Sequence, residues 1–146
     1  MKRFDLRLWG ARFLIAIVVA WNLECALVFL LHPAAFAPGF ELVGVPGQAA
    51  VRGIAVLFIM WNVPYIVALA QPRRNKISLW EALAMQILGL MGETIIFFSL
   101  PTGHPVLYAS LLRFIIFDAA GVALLLGALL LALGTKPATR RSVYPL

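Results

Sequence analysis

VLYASLLRFIIFDAAGVALLLGALLLAL, residues 106–133, reads as one unbroken apolar helix carrying a single Arg, Arg113, and a single Asp, Asp118. The run exceeds the roughly 20 residues that cross the hydrocarbon of a bilayer. Gly134 stands where such a helix stops. Three further runs share its character: 10–31, 49–70 and 78–100. They end at His32-Pro33, Gln71-Pro72 and Leu100-Pro101, and Pro disfavours helical backbone in the residue before it. Ser78 with Glu81 three residues on predicts a capping box at the third start.

Composition agrees. Charged residues make up 12% of the 146, about half the share of a soluble domain. The apolar residues are gathered into long runs, as in transmembrane helices. The fold class is therefore all-α: an integral membrane four-helix antiparallel bundle filling 1–146 as a single transmembrane domain. The net charge of +6 does not point to nucleic acid, because the basic residues sit at the ends of apolar runs. Cys25 stands alone, so it forms no intramolecular disulfide or thiol cluster and reads as a small buried side chain.

Ten of the 12 Lys and Arg residues fall on one side of this arrangement. They are Lys2, Arg3, Arg7 and Arg12, then Arg73, Arg74 and Lys76, then Lys136, Arg140 and Arg141. The positive-inside rule places both termini in the cytoplasm, N-in and C-in. Trp9 and Trp80 belong at the inner interface and Tyr108 at the outer one. The expected location is the cell inner (cytoplasmic) membrane, crossed several times. Ala35-Phe36-Ala37 resembles a leader cleavage site. The long apolar run before it, its interruption by Glu24, and Pro38 after the bond all favour an uncleaved first helix.

The connection 32–47 holds Pro33, Pro38, Pro46, Gly39, Gly44 and Gly47 beside Phe36, Phe40, Leu42 and Val43. Two placements fit: a cap packed over the outer mouth of the bundle, or a loop resting on lipid headgroups. A weak internal echo relates Arg12 and Trp21-Asn22 to Arg52 and Trp61-Asn62.

Glu24, Arg52, Glu93, Arg113 and Asp118 are ionisable groups inside these apolar helices. A charge at that depth costs several kcal/mol on insertion scales unless it is paired or lines a polar cavity. At about 1.5 Å per residue Glu24 lies roughly 18 Å from Arg12, and Glu93 roughly 20 Å from Ser78. Arg52 and Arg113 lie within roughly 10 Å of the outer boundary. Matching depths predict a Glu93–Arg113 pair, with Glu24 and Arg52 as the corresponding pair. Asp118 lies about 140° around its helix from Arg113. Three carboxylates against two guanidiniums leave one acid over, Asp118 ahead of Glu24, either protonated or facing a water-filled outer cavity; His104 and His32 are the alternative source of the missing positive charge. Asn62 joins the candidate binding cluster, because Pro64 nearby frees a carbonyl and bends the helix. Gln86, Gly89 and Glu93 share a stripe whose small residues permit close packing. His32 and His104 lack a third ligand, so no metal site is expected. Nothing in the residues calls for a cofactor, and the catalytic residues are unknown.

The halves Pro46-Gly47…Ala50-Val51-Arg52-Gly53 and Gly89-Leu90-Met91-Gly92-Glu93, with Pro101-Thr102-Gly103-His104-Pro105 and Arg113, resemble the DoxX-like group of small four-helix bacterial membrane proteins. The resemblance spans nearly the whole chain. It implies an accessory membrane subunit, in some members linked to quinone-dependent redox chemistry, and transfers no catalytic residue. Two readings stand. One is a non-catalytic accessory subunit of a membrane complex, with other membrane subunits or a second copy as partners. The other is a lipid-, quinone- or small-molecule-binding protein, or a proton-linked carrier, using an outward-facing polar pocket. A closed, fully paired cluster favours the first and an open, incompletely paired one the second.

Overall fold

Asp5 starts the fold. Its Oδ1 accepts from the backbone N–H groups of Arg7 (3.2 Å) and Leu8 (3.3 Å), satisfying two of the donors that a helix start leaves open. Helix α1 (Leu6–Leu31) therefore begins before Gly10. A one-turn helix α2 (Pro33–Phe36) and a 3-10 turn (Ala37–Phe40) follow, then α3 (Gly44–Ala70), α4 (Lys76–Ser99) and α5 (Pro105–Leu133). The computed structural model describes residues 5–134. Lys2, Arg3, Lys136, Arg140 and Arg141 lie outside the described residues.

Two boundaries differ from the sequence reading. Helix α3 starts at Gly44 rather than near Ala49, because Pro46 falls in its first turn, where a missing N–H loses no bond. The Ser78–Glu81 capping box does not form. The turn after α3 closes early through Arg74 N–H to Gln71 O (3.1 Å) and Asn75 N–H to Gln71 O (2.9 Å). Helix α4 thus resumes at Lys76, with Asn75 rather than Ser78 at the cap.

All four long helices are long and apolar enough to cross a membrane. They form a ring: α1 packs on α3 and α5, α4 packs on α3 and α5, and across the diagonal α3 and α5 meet through the stacked rings of Phe58 and Phe114 at 6.4 Å. The interior is lined with small residues, including Ala11, Ala26, Ala55, Ala68, Ala82 and Ala128, which let backbones approach closely. Ile15, Val18, Leu79 and Leu125 fill the space between them and are fully buried. The outer faces present Phe13, Leu88, Ile95, Phe98 and Leu130. Contiguous apolar surface on this scale suits lipid rather than water.

Each end of the ring is tied differently. At the basic end, Arg7 donates to Gly134 O (2.6 Å), Arg12 to Ala70 O, and Arg73 to Ala132 O (3.4 Å) and Asp5 Oδ2 (2.5 Å). These guanidiniums meet the open carbonyls and negative dipole ends of α3 and α5. At the loop end, α2 and the 3-10 turn fold over the bundle. Phe36 and Phe40 meet Phe29 at centroid distances of 4.8 and 6.0 Å, and Phe40 stacks on Phe114 at 6.0 Å. Leu42 and Val43 point outward, so the connection is a cap over its first half and an exposed strap over its second. Glu41 and His104, 2.5 Å apart, clasp the two loops of this end.

The hydrogen bond from Arg73 holds the Asp5 carboxyl below its ordinary value of 3.8. A carboxyl lowered on folding contributes stability above its unfolded pKa and loses it as pH falls through the folded value. Asp5→Asn should therefore lower thermal stability in detergent at neutral pH and leave a shallower decline below about pH 4. Parallel acid limbs for the two proteins would contradict this.

Candidate functional site

The candidate polar residues within the long helices separate into two groups by the face each helix turns inward. Asn62 is fully buried, Asp118 is 8% exposed, and Glu93 is half-buried. Glu24, Arg52 and Arg113 lie on exposed faces. The six candidates therefore do not form one cluster.

The expected Glu93–Arg113 pair does not form. Depth was matched, but azimuth was not. From Arg113 to Asp118 the helix turns about 140°, which aims Asp118 at α4 and leaves Arg113 beside α1. The Arg113 Nε donates instead to Ala109 O of its own helix (3.2 Å). Glu24 and Arg52 are likewise unpaired with each other. The ion pairs among the described residues, Asp5–Arg73 and Glu41–His104, stand outside the four long helices. His104 thus serves Glu41 and supplies no charge to the interior acids.

A chain of side-chain contacts runs across α3, α4 and α5 instead. The Tyr65 hydroxyl donates to Gln86 Oε1 (2.8 Å), and Gln86 Nε2 donates to Asp118 Oδ1 (2.6 Å). The Glu93 carboxyl lies close beside that of Asp118. Asp118 is thus an enclosed member of this chain and does not face an outer cavity.

Two glycines make the arrangement possible. A Cβ on Gly121 would meet the Gln86 Nε2 at 2.6 Å and Cδ at 2.7 Å, and a Cβ on Gly89 would run into the Asp118 carboxylate. Each polar side chain therefore lies over a glycine of the facing helix. The stripe of Gln86, Gly89 and Glu93 has a packing role and a polar one at once.

The chain is not closed. Glu93 Oε2 is buried without a donor, and so is Asn62 Oδ1, whose Nδ2 bonds back to Phe58 O (2.8 Å). Buried polar atoms left without partners are uncommon and call for an explanation. Glu93 also lines a groove of about 370 Å³ between α3 and α4, with Trp61, Met85, Leu88, Gly92 and Ile96. Its volume falls within the range of small-molecule sites, and its walls are apolar.

Sequence reading passed over Tyr65 and took Gln86 only as a packing residue. One signal was available: Tyr65 follows Asn62 by three residues, on the same helical face. Comparison with family models, curated proteins and solved structures finds no match.

Gly92 offers an internal control, because a Cβ there meets nothing within 4 Å. Gly121→Ala should destabilise the protein in detergent by about 1–3 kcal/mol, the usual range for overpacking. Gly92→Ala should be neutral or slightly stabilising, as expected when Gly is replaced inside a helix. Equal effects on thermal unfolding would dissociate the polar chain from the glycine seats.

Proposed function

We propose that this is a four-span membrane protein that binds a lipid-soluble molecule with a hydrogen-bonding head, a quinone or a lipid, in the groove between α3 and α4. One observation carries the reading: Glu93 joins an incompletely satisfied polar chain to an apolar groove that opens sideways. A ligand arriving through the bilayer enters by such an opening, whereas a water-soluble one does not. A ligand head that offers a donor, such as the hydroxyl of a quinol or an N–H or O–H of a lipid headgroup, would complete the bonding of Glu93 Oε2. The walls from Trp61 to Ile96 suit its apolar body.

Among the described residues no nucleophile–base arrangement is assembled, and binding and presentation fit them better than catalysis. The DoxX-like resemblance extends this reading to an accessory subunit of a quinone-linked redox complex in a bacterial inner membrane. Both termini would lie in the cytoplasm. The clustering of Arg7, Arg12, Arg73, Arg74 and Lys76 at one end of the ring supports that orientation.

Two measurements test the reading. Protein purified in mild detergent, extracted with organic solvent and analysed by mass spectrometry should yield a near-stoichiometric quinone or lipid. Glu93→Ala should reduce its amount at least tenfold while circular dichroism shows an intact helical fold. Equal recovery from both proteins would overturn the α3/α4 site. For orientation, single cysteines at Asn75 and Gly103 in a Cys25→Ala background should react with an impermeant maleimide from opposite sides of the membrane. Labelling from the same side would refute the four-span topology.

A further inference from the structure

Glu24 and Arg113 remain exposed on helices apolar enough to cross a membrane, without an ion-pair partner among the described residues. They line one groove, of about 450 Å³, along the seam of α1 and α5. Their levels match. Glu24 lies about 10 Å below the end of α1 at Leu31, and Arg113 about 12 Å from the start of α5 at Pro105, at the helical rise. Helices of 26 and 29 residues outrun a hydrocarbon layer of about 30 Å, so both charges lie only a few ångströms inside its loop-end boundary. Below them the seam is apolar, with Ile116, Phe117 and Ala120.

Above them the groove continues. Arg113 and Cys25 also line a second cavity of about 440 Å³ beneath the cap, together with Ser110, Phe36, Phe40 and Phe114. The combined site has an anion-seeking guanidinium and a hydroxyl at its neck, a carboxylate at the same level, and an apolar track running toward the bilayer centre.

We propose that the α1/α5 seam binds a phospholipid whose headgroup joins a phosphate to a primary ammonium. The phosphate takes Arg113, which is suited to bidentate contact with such oxyanions. The ammonium takes Glu24, and one acyl chain lies along the seam. A purely anionic head would leave Glu24 uncompensated and repelling it. A quaternary ammonium would neutralise Glu24 while offering it no hydrogen bond. A second copy of the chain, pairing Glu24 with Arg113 reciprocally about a two-fold axis, would satisfy the charges but would leave the cavity beneath the cap unfilled. This site lies across the ring from the Glu93 groove, so it shares only the membrane reading with the proposed function.

The test uses full-length protein, delipidated in detergent and titrated with phosphatidylethanolamine, phosphatidylcholine or phosphatidylglycerol of identical chains, with melting temperature and native mass spectrometry as readouts. The ethanolamine lipid should act at concentrations at least fivefold lower than the other two. Glu24→Gln should abolish that preference while retaining a response to phospholipid, and Arg113→Gln should reduce the response to all three. Equal responses of the unaltered protein, or a preference that survives Glu24→Gln, would overturn the proposal. So would a lipid-independent dimer that Glu24→Gln dissociates, which would assign the seam to a second copy. Because neither substituted side chain is buried, both variants should fold, and unchanged circular dichroism verifies it.

Discussion

The hydrogen bond from Gln86 to Asp118 governs how α4 and α5 meet. Neither side chain has room beside an ordinary helix face, so each requires a glycine opposite, and the two glycines bring the backbones together. Interhelical hydrogen bonds of this kind average well under about 1 kcal/mol in membranes. The worth of this one lies in register. Sliding α4 along α5 by a single turn would strand Gln86 and Asp118 against carbon. The Tyr65 hydroxyl extends the same constraint to α3, so three of the four long helices are indexed by one chain of polar contacts. Helix α1 stands outside that chain. It is held by an inner face that runs from Ala11 through Ile15, Val18 and Ala26 to Phe29, and by the arginines at the basic end.

That division separates Asp118, which lies within the packed contact, from Glu93, which lines a groove. Asp118 is enclosed and receives a donor from Gln86. Glu93, a turn of helix beyond Gly89, reaches past the same contact to the edge of the bundle, where it meets an apolar groove. Moving one carboxyl a few ångströms outward changes its role from a packing element to a feature that a ligand in the bilayer can reach.

The architecture was legible in the sequence because it depends on quantities that a sequence carries directly. The length of the apolar runs, Pro after each helix end and Gly134 after the last determine four spans to within a few residues. Helix starts were less legible. Asp5 caps α1 with its side chain, and Asn75 takes the cap position of α4 while its side chain bonds back to Val67 O, whereas Ser78 and Glu81 match a cap in pattern alone. The candidate site was legible in part. Depth follows from counting residues, and counting identified the charged positions. Azimuth depends on which face each helix buries, and in helices that are apolar on most sides the pattern marks that face only weakly. Glu93 and Arg113 therefore matched in level and missed in direction. Glu41 with His104 escaped for a different reason: 63 residues separate them, and nothing local signals the clasp.

The arginine contacts at the basic end carry a consequence for biogenesis. Arg7 stands at the first turn of α1, yet its acceptor is Gly134 O, beyond the last residue of α5. Arg73 likewise reaches Ala132 O as well as Asp5. A nascent chain emerging in order thus presents Arg7 long before the Gly134 carbonyl that it meets exists. The ring can close only when synthesis reaches the final helix. Until then α1 and α3 are joined at that end by Arg12 with Ala70 O and by Arg73 with Asp5, as an open hairpin awaiting the second one. Assembly is therefore sequential by construction, and a chain stopped short of Ala132 would lack the acceptors that seal its first helix to its last.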